Sequence, residues 1–274
     1  MAFFFHFLAI FAQLILNFVR MNIVGKNRYF ISDAHLGSQA FASTDREREL
    51  KLVRFLDSIK DKASDVYLLG DIFDFWYEYN HYAPKGGVRL LGKLAELSDS
   101  GIQIHFFIGN HDIWTFGYLE KEIGMSVCTS AYSIEEFDGK RFFLSHGDRV
   151  GYRPWTVRLM HSIFHSKTIQ WLYSLIHPSL SMSFGFHWSK NNRKYKHTQE
   201  SAQYLGEDKE FLVQFAKETL KQDPSLDFFI FGHRHVMLDL MLRDKKRVIY
   251  LGDWIDKFSY GVWDGKEFRL ECFD

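Results

Sequence analysis

The sequence predicts an α/β fold with a parallel sheet at its core and a helical insertion over about residues 150–205. Three observations predict it. From residue 28 onward, short apolar runs alternate with stretches of helical periodicity, the pattern of right-handed β-α-β units. Each early apolar run ends in a small cluster of glycine and polar residues. Between Val150 and Leu205 the sheet pattern stops, and it resumes afterwards.

Arg28 to Ser32 reads as a buried strand, followed at once by Asp33 and His35. Leu52, Val53, Leu56 and Ile59 then recur at helical spacing within a charged stretch. Asp65 to Leu69 is a second strand, ending in Gly70 and Asp71. Val88, Leu91, Leu94 and Ala95 mark a second amphipathic helix. Ile102 to Ile108 is a third strand, ending in Gly109, Asn110 and His111. Ser133 to Phe137 and Arg141 to Leu144 flank Asp138-Gly139, a hairpin signal. Leu226 to Phe231, Arg247 to Leu251, Ser259 to Trp263 and Phe268 to Phe273 are further strands, the last two joined by Asp264-Gly265. The insertion is rich in Trp, Phe and Leu mixed with Lys and Arg. One more core helix follows it, around Leu212, Phe215 and Leu220. No internal repeat or low-complexity tract divides the chain, so residues 21–274 read as one domain carrying the insertion.

Composition narrows the function. At 274 residues and 46% hydrophobic content the chain is globular, not disordered. Lys plus Arg equals Asp plus Glu, at 34 each, so no global charge advertises a nucleic-acid partner. Cys128 and Cys272 form neither a disulfide framework nor a C-x-x-C pair, which points to a reduced, intracellular compartment. Ala2 to Val19 is apolar apart from His6, Gln13 and Asn17, and its 18 residues just suffice to cross a bilayer. It lacks the basic start and small-residue cleavage site of a signal peptide. Two readings of residues 1–20 stand. One is an anchor, with Arg20, Lys26 and Arg28 keeping the main domain cytoplasmic. The other is a translation start at Met21, just before the first strand.

The polar clusters at strand ends carry the chemistry. In order they are Asp33-x-His35, Gly70-Asp71-x-x-Asp74, Gly109-Asn110-His111-Asp112, His146-Gly147-Asp148 and Gly232-His233-x-His235. In open α/β sheets, ligands bind in the crevice outside the carboxyl ends of the strands. Carboxylate, imidazole and amide groups without thiolate suit Mn, Fe or Zn. Residues i and i+2 of a strand point the same way, so Asp33 with His35, and His233 with His235, are expected to grip an ion together. Asp71, with two acceptor oxygens, is the candidate to bridge two ions. His105 reads as an ordinary satisfied histidine, His161 and His165 as a solvated helix face, and Asp74 and Asp148 as supporting residues.

These five blocks, in this order, resemble the calcineurin-like metallophosphoesterase family, whose signatures are D-x-H, G-D-x-x-D, G-N-H-D, G-H and G-H-x-H. The likeness spans about residues 28 to 255, with Ser145 before His146 as one departure. It implies a β-sandwich with flanking helices and a helical cap. It also implies a two-metal hydrolase, with one ion on Asp33, His35, Asp71 and His235 and another on Asp71, Asn110, His146 and His233. Paired ions share and activate a water. His111 then serves as general acid or phosphate donor, with Asp112 orienting it.

Within the family, Gly70 to Trp76, an insertion after His146-Gly147-Asp148, and Val248 to Trp254 are similar to the branch that hydrolyses the pyrophosphate of UDP-2,3-diacylglucosamine in lipid A biosynthesis. That branch typically uses manganese at the cytoplasmic face of the inner membrane. The likeness implies a nucleotide-linked lipid substrate and a peripheral place on the membrane surface. Trp155, Trp171 and Phe184 are then expected to meet acyl chains, and the basic run of Lys190, Arg193 and Lys194 a pyrophosphate. The branch carries Arg after the metal-binding Asn, where this chain has His111. Alternatives are a phosphoesterase acting on a phosphoprotein, a nucleotide or another lipid pyrophosphate, and last a non-catalytic metal-binding scaffold on a membrane.

Overall fold

The computed structural model describes residues 27–38, 41, 43–196 and 203–274, with the side chains of residues 188–196 left out. The apolar N-terminal run therefore lies outside the described residues.

Two sheets stack face to face. The first has strand order β11-β10-β1-β2-β3-β4, built from β1 (Asn27–Ile31), β2 (Ala63–Leu69), β3 (Gln103–Phe107), β4 (Ser126–Cys128), β10 (Ser259–Trp263) and β11 (Phe268–Cys272). Strands β1 to β4 run parallel, and β10 and β11 close the edge antiparallel. The second sheet has order β5-β6-β7-β9-β8, from β5 (Ser133–Phe137), β6 (Lys140–Ser145), β7 (Phe228–Phe231), β8 (Met237–Met241) and β9 (Arg247–Leu251). Strands β6, β7 and β9 are mutually parallel at its centre.

Side-chain alternation explains the layers. Phe142 and Leu144, Phe228 and Ile230, Ile249 and Leu251 point into the space between the sheets, where they meet Phe30, Tyr67, Leu69 and Phe107. Their neighbours Phe143, Phe229, Phe231, Val248 and Tyr250 point outward onto helix α7 (Phe211–Gln222), through Leu212, Val213 and Ala216. The outer face of the first sheet is covered by α1 (Asp45–Ile59) and α2 (Val88–Asp99), through Leu52, Phe55, Leu56, Leu90 and Leu94. Strands buried on both faces read as continuous apolar runs, which is why they were legible. Helix α1 starts at a capping box, Glu47 N–H donating to Thr44 Oγ1 and Thr44 N–H to Glu47 Oε2.

The two Asp-Gly hairpins differ. Phe137 pairs with Lys140, so Asp138-Gly139 is a two-residue loop with both φ positive. Trp263 pairs with Phe268, so the second loop is four residues long, and Asp264 Oδ1 accepts the N–H groups of Lys266 and Glu267.

Three helices lie between β6 and α7: α4 (Trp155–Phe164), α5 (Lys167–Ser174) and α6 (Pro178–Lys196), preceded by short α3 (Tyr118–Glu122) after β3. They dock on the core through aromatic groups. Tyr173 packs 4.6 Å from Trp114 and 4.9 Å from Tyr77, ring centre to ring centre. Tyr77 Oη donates to the Gln170 carbonyl and Trp114 Nε1 to the Phe164 carbonyl, both at 2.8 Å. No described helix is long and apolar enough to cross a membrane.

Candidate metal centre

The segments after β1, β2, β3, β6 and β7 converge at one end of the sandwich. Backbone bonds continue past the strands to hold them: Asp33 N–H to Gly70 O, His35 N–H to Asp71 O, Gly232 N–H to His146 O and Trp254 N–H to Asp33 O. Gly70, at φ +81°, lets β2 and β3 close up, for a Cβ there would stand 2.8 Å from the Gly109 backbone and the His146 ring.

Asp33, His35, Asp71, His233 and His235 have φ of 57°, 44°, 54°, 67° and 52°. All five lie beyond their strands in the left-handed region, which costs an L residue roughly 1–2 kcal/mol. The strand-pleat argument for Asp33 with His35 and for His233 with His235 is thereby corrected, and the last two fall into different ligand groups. These side chains converge because the backbone coils at each strand end, not because of extended i, i+2 alternation. Strain of this kind gathers where side chains must be aimed.

Two groups result. Asp33 Oδ1 lies 3.3 Å from His235 Nε2 and 3.8 Å from His35 Nε2, with the two imidazole nitrogens 3.3 Å apart. Asp71, His146 and His233 form the other, Asp71 Oδ2 standing 3.3 Å from His146 Nε2. Asp71 Oδ1 is taken by the His111 N–H at 2.9 Å. Its Oδ2 alone therefore faces both groups, at 3.7 Å from His35 Nε2 on the other side.

Three of the four imidazoles have a polar group behind them. His146 Nδ1 donates to the Leu69 carbonyl at 2.8 Å. His35 Nδ1 faces Asp74 Oδ1 at 3.5 Å and His235 Nδ1 faces Asp253 Oδ2 at 3.9 Å. Such outer partners aim the other nitrogen, here Nε2, into the site. Asp33 Oδ2 accepts from Ser32 Oγ at 2.5 Å and from His233 N–H at 2.9 Å, leaving Oδ1 forward.

Cations fit this arrangement on its own evidence. Asp33 Oδ1, Asn110 Oδ1 and His146 Nε2 are buried without a hydrogen-bond partner, and unpaired buried polar atoms are expensive. Burial, and the charge of Asp71, push Asp33 up to about 7. Burial opposes a charge on His146, but Asp71 and Asp33 outweigh it and raise the imidazole to about 10. Burial works against the Asp71 charge too, yet His146, His111 and His35 hold that carboxyl well below its ordinary value. The same negative field that keeps a proton at His146 would hold a divalent cation in its place.

With that geometry the comparison with known proteins is direct: the family described as Calcineurin-like phosphoesterase matches residues 27–237. The chain belongs to the calcineurin-like phosphoesterase family. It is a hydrolase fold of that family, with His and Asp groups able to hold metal. Among curated relatives, it is 41% identical to the UDP-2,3-diacylglucosamine hydrolase of Porphyromonas gingivalis, over 90% of this chain and 97% of that one. It is 28% identical to the protein of the same name from Aeromonas salmonicida, over 88% and 91%. A solved dimetal phosphatase from Danio rerio superposes with a TM-score of 0.46 at 15% identity, covering 92% of this chain and 99% of that one.

Several expected partners stand elsewhere. Asp112 was expected to orient His111; instead its carboxylate accepts four backbone N–H groups, of Gly109, Asp71, Ile72 and Phe73, at 2.8–3.2 Å. It pins the two ligand-bearing turns together. Burial and the charge of Asp71 push it up to about 6. The group behind His111 is the Asp74 carbonyl, 2.9 Å from Nδ1. His111 Nε2 then lies 4.0 Å from Asp71 Oδ2, and His111 with His35 and Asp71 could itself hold an ion.

His161 and His165 are stacked and half-buried, with His161 Nδ1 3.8 Å from buried Asp148 Oδ2, not on a solvated face. His105 is the satisfied residue expected, stacked on Tyr67 and 3.1 Å from Asp65. Trp155, Trp171 and Phe184 are 72%, 60% and 60% exposed on the inserted helices. Lys190, Arg193 and Lys194 lie on α6, and their side chains are outside the described residues. Asp253 behind His235 was missed by the sequence reading. Its signal was available: Leu251-Gly252-Asp253 repeats the pattern of an apolar strand ending in Gly-Asp seen at Leu69-Gly70-Asp71.

Proposed function

We propose that this chain is a two-metal hydrolase that cleaves the pyrophosphate of UDP-2,3-diacylglucosamine to UMP and 2,3-diacylglucosamine 1-phosphate, a step of lipid A biosynthesis. The observation that carries the substrate is the 41% identity spanning 97% of a UDP-2,3-diacylglucosamine hydrolase. Asp33, His35, Asp71 and His235 would hold one ion, and Asp71, Asn110, His146 and His233 the other. Manganese is the ion we assign, and iron or zinc would suit the same oxygen and nitrogen donors. Two divalent ions supply Lewis acidity that activates water towards phosphorus and neutralises phosphoryl charge.

The chain's own groups do the rest. The Nδ1 contacts hold three imidazoles with Nε2 forward, and Asp112 keeps the turns around Asp71 and Gly109 from relaxing. His111, fixed by its Nδ1–H on the Asp74 carbonyl, would carry a second proton on Nε2, as imidazolium, to give to the leaving phosphate oxygen or to donate to a phosphoryl oxygen. Asp112 is thus a positioning residue for the turns that carry Asp71 and Asn110, through the backbone.

The helices from Trp155 to Lys196 would form the substrate cap, inserted in a single domain. Their exposed apolar groups, among them Trp155, Trp171, Leu175 and Phe184, suit acyl chains and peripheral association with the inner face of the inner membrane. Lys190, Arg193 and Lys194 would serve the pyrophosphate. Residues 1–20, as an anchor, would add to the membrane attachment.

The test is UMP release from UDP-2,3-diacylglucosamine by the chain starting at Met21, with manganese and with chelator. Fast, metal-dependent release is expected. His111, where the diphosphatase branch carries Arg, favours a second reading on another phosphoester. Activity on a small phosphodiester without UMP release would select it.

A further inference from the structure

Arg234 stands between the two histidines of the Gly232-His233-Arg234-His235 turn, and one buried carboxylate grips its guanidinium side-on. Arg234 Nε donates to Glu210 Oε2 at 3.1 Å and Nη2 to Oε1 at 2.9 Å, a bidentate pair. Glu210 is 1% exposed and immediately precedes helix α7. Its remaining acceptor capacity is met by the Leu205 N–H at 3.2 Å and the Tyr250 hydroxyl at 3.4 Å. Arg234 Nη2 also donates to the Gln203 carbonyl at 3.3 Å. One ion pair thus joins the start of α7, strand β9, the segment by which the chain returns from the cap, and the turn that carries His233 and His235.

That turn needs restraint. His233 and His235 both sit in the left-handed region, at φ 67° and 52°, a conformation that persists only when the surroundings over-determine it. The flanks are tied by His233 N–H on Asp33 Oδ2 and by Gly232 N–H on His146 O. At the centre the Arg234 N–H donates to the Gly232 carbonyl at 2.8 Å within the turn, and the Arg234 side chain ties the turn to Glu210. A buried ion pair is weak evidence of stability as such. Its attested use is to select one geometry, and here the geometry is the aim of two ring planes.

We infer that Glu210 and Arg234 are positioning residues for the metal centre, setting His233 and His235 to receive one ion each. The inference rests on the two-metal reading above. Two variants test it: Glu210→Gln, which keeps the shape and removes the charge, and Glu210→Gln with Arg234→Met, which removes both charges at similar volume. Each is stripped of metal, checked by circular dichroism, and titrated with manganese chloride by calorimetry, with bound manganese counted by elemental analysis. Manganese binding weakened by about 10- to 100-fold is expected, the range for lost outer partners of metal ligands. Turnover at saturating manganese should recover towards wild type with KM unchanged. Arg234→Lys, which keeps charge without the planar fork, should fail to rescue. Folded variants that bind manganese with wild-type stoichiometry and affinity, and only melt earlier, overturn the inference. A wild-type chain that binds none of manganese, iron(II) and zinc would instead overturn the two-metal reading.

Discussion

His146 donates a hydrogen bond from Nδ1–H to the Leu69 carbonyl at 2.8 Å and thereby turns Nε2 to within 3.3 Å of Asp71 Oδ2. The second sheet, which carries His146, is in this way aimed at a carboxylate of the first. Asp71 is where the two ligand groups meet, since its Oδ2 faces His35 on one side and His146 on the other. Asp71→Ala should therefore lower kcat on every phosphoester tried by about three orders of magnitude or more, about 4 kcal/mol in the barrier. Steady-state rates on UDP-2,3-diacylglucosamine and on a small phosphodiester check this. Near-normal turnover on either one would refute the shared bridge.

Divalent ions should stabilise the folded chain as well as activate it. Asp33 Oδ1, Asn110 Oδ1 and His146 Nε2 are buried without a hydrogen bond among the described residues, and a ligand that binds only the folded state adds RT ln(1 + [L]/Kd). At a hundred times Kd that is about 2.7 kcal/mol, or about 5–10 °C in Tm for a domain of this size. Thermal melts with manganese and with chelator give the comparison. Coincident melting curves would argue against a bound ion.

The cap's seat should be sensitive to one methyl group. A Cβ on Gly185 of α6 would stand 2.5 Å from the ring of Phe75, the residue after the Asp74 that backs His35 and His111. Gly185→Ala gains helix propensity of about 1 kcal/mol, but overpacking a close contact loses about 1–3 kcal/mol. A net loss of stability is expected in the wild-type background, and neutrality or a gain alongside Phe75→Ala. A double-mutant cycle by denaturant unfolding measures the coupling. Additive effects would mean that the Gly185–Phe75 contact is not what limits the seat.

The four-residue loop at Asp264 makes a pH prediction. Backbone N–H groups of Glu267 and Lys266 and the Arg269 guanidinium hold this carboxyl at about 2, below its ordinary 3.8. A depressed folded value stabilises above the unfolded pKa and is lost as the pH falls through the folded one. The contribution of Asp264 should therefore be complete above about pH 5 and vanish by about pH 1. Because the side chain is 30% exposed, solvent screens it and the size should stay under about 1 kcal/mol. Urea unfolding of wild type and Asp264→Ala across that window should converge at its acid end. A constant difference would assign the effect to the turn's shape and not to its charge.

Legibility followed burial. Strands such as Phe228–Phe231 and Arg247–Leu251 are covered on both faces, and continuous apolar runs announced them. The edge strands Ser126–Cys128 and Met237–Met241 went unread, one too short to show a period and the other half-exposed with Asp239 in its middle. Metal-ligand candidates could be read because they cluster with glycine at strand ends. Their supporting groups could not. Asp112 binds four amides from two turns, and Asp74 presents its carbonyl to His111 and its carboxylate to His35, contacts that exist only once the strands are side by side. Composition showed the insertion to be rich in Trp, Phe and Leu but not where those side chains point. In the structure α4 and α5 bury no residue fully and dock through a few rings, leaving Trp155 and Trp171 outward.

Those outward rings separate a lipid substrate from a small one. Trp171 and Phe184 are each 60% exposed, so a charged replacement loses no core packing and should leave the fold intact. If acyl chains lie against this face, Trp171→Glu or Phe184→Glu places a charge where apolar surface would be buried. Burying a large side chain against an acyl chain is worth roughly 1.5–3 kcal/mol. The expected result is a loss of about ten- to a hundredfold in kcat/KM for UDP-2,3-diacylglucosamine. Turnover of a small phosphodiester, which touches the metal centre alone, should change less than about twofold. Vesicle flotation of the same variants distinguishes a loss of substrate contact from a loss of membrane attachment. Equal losses on both substrates would place the damage at the metal centre and remove the acyl-chain role from this face.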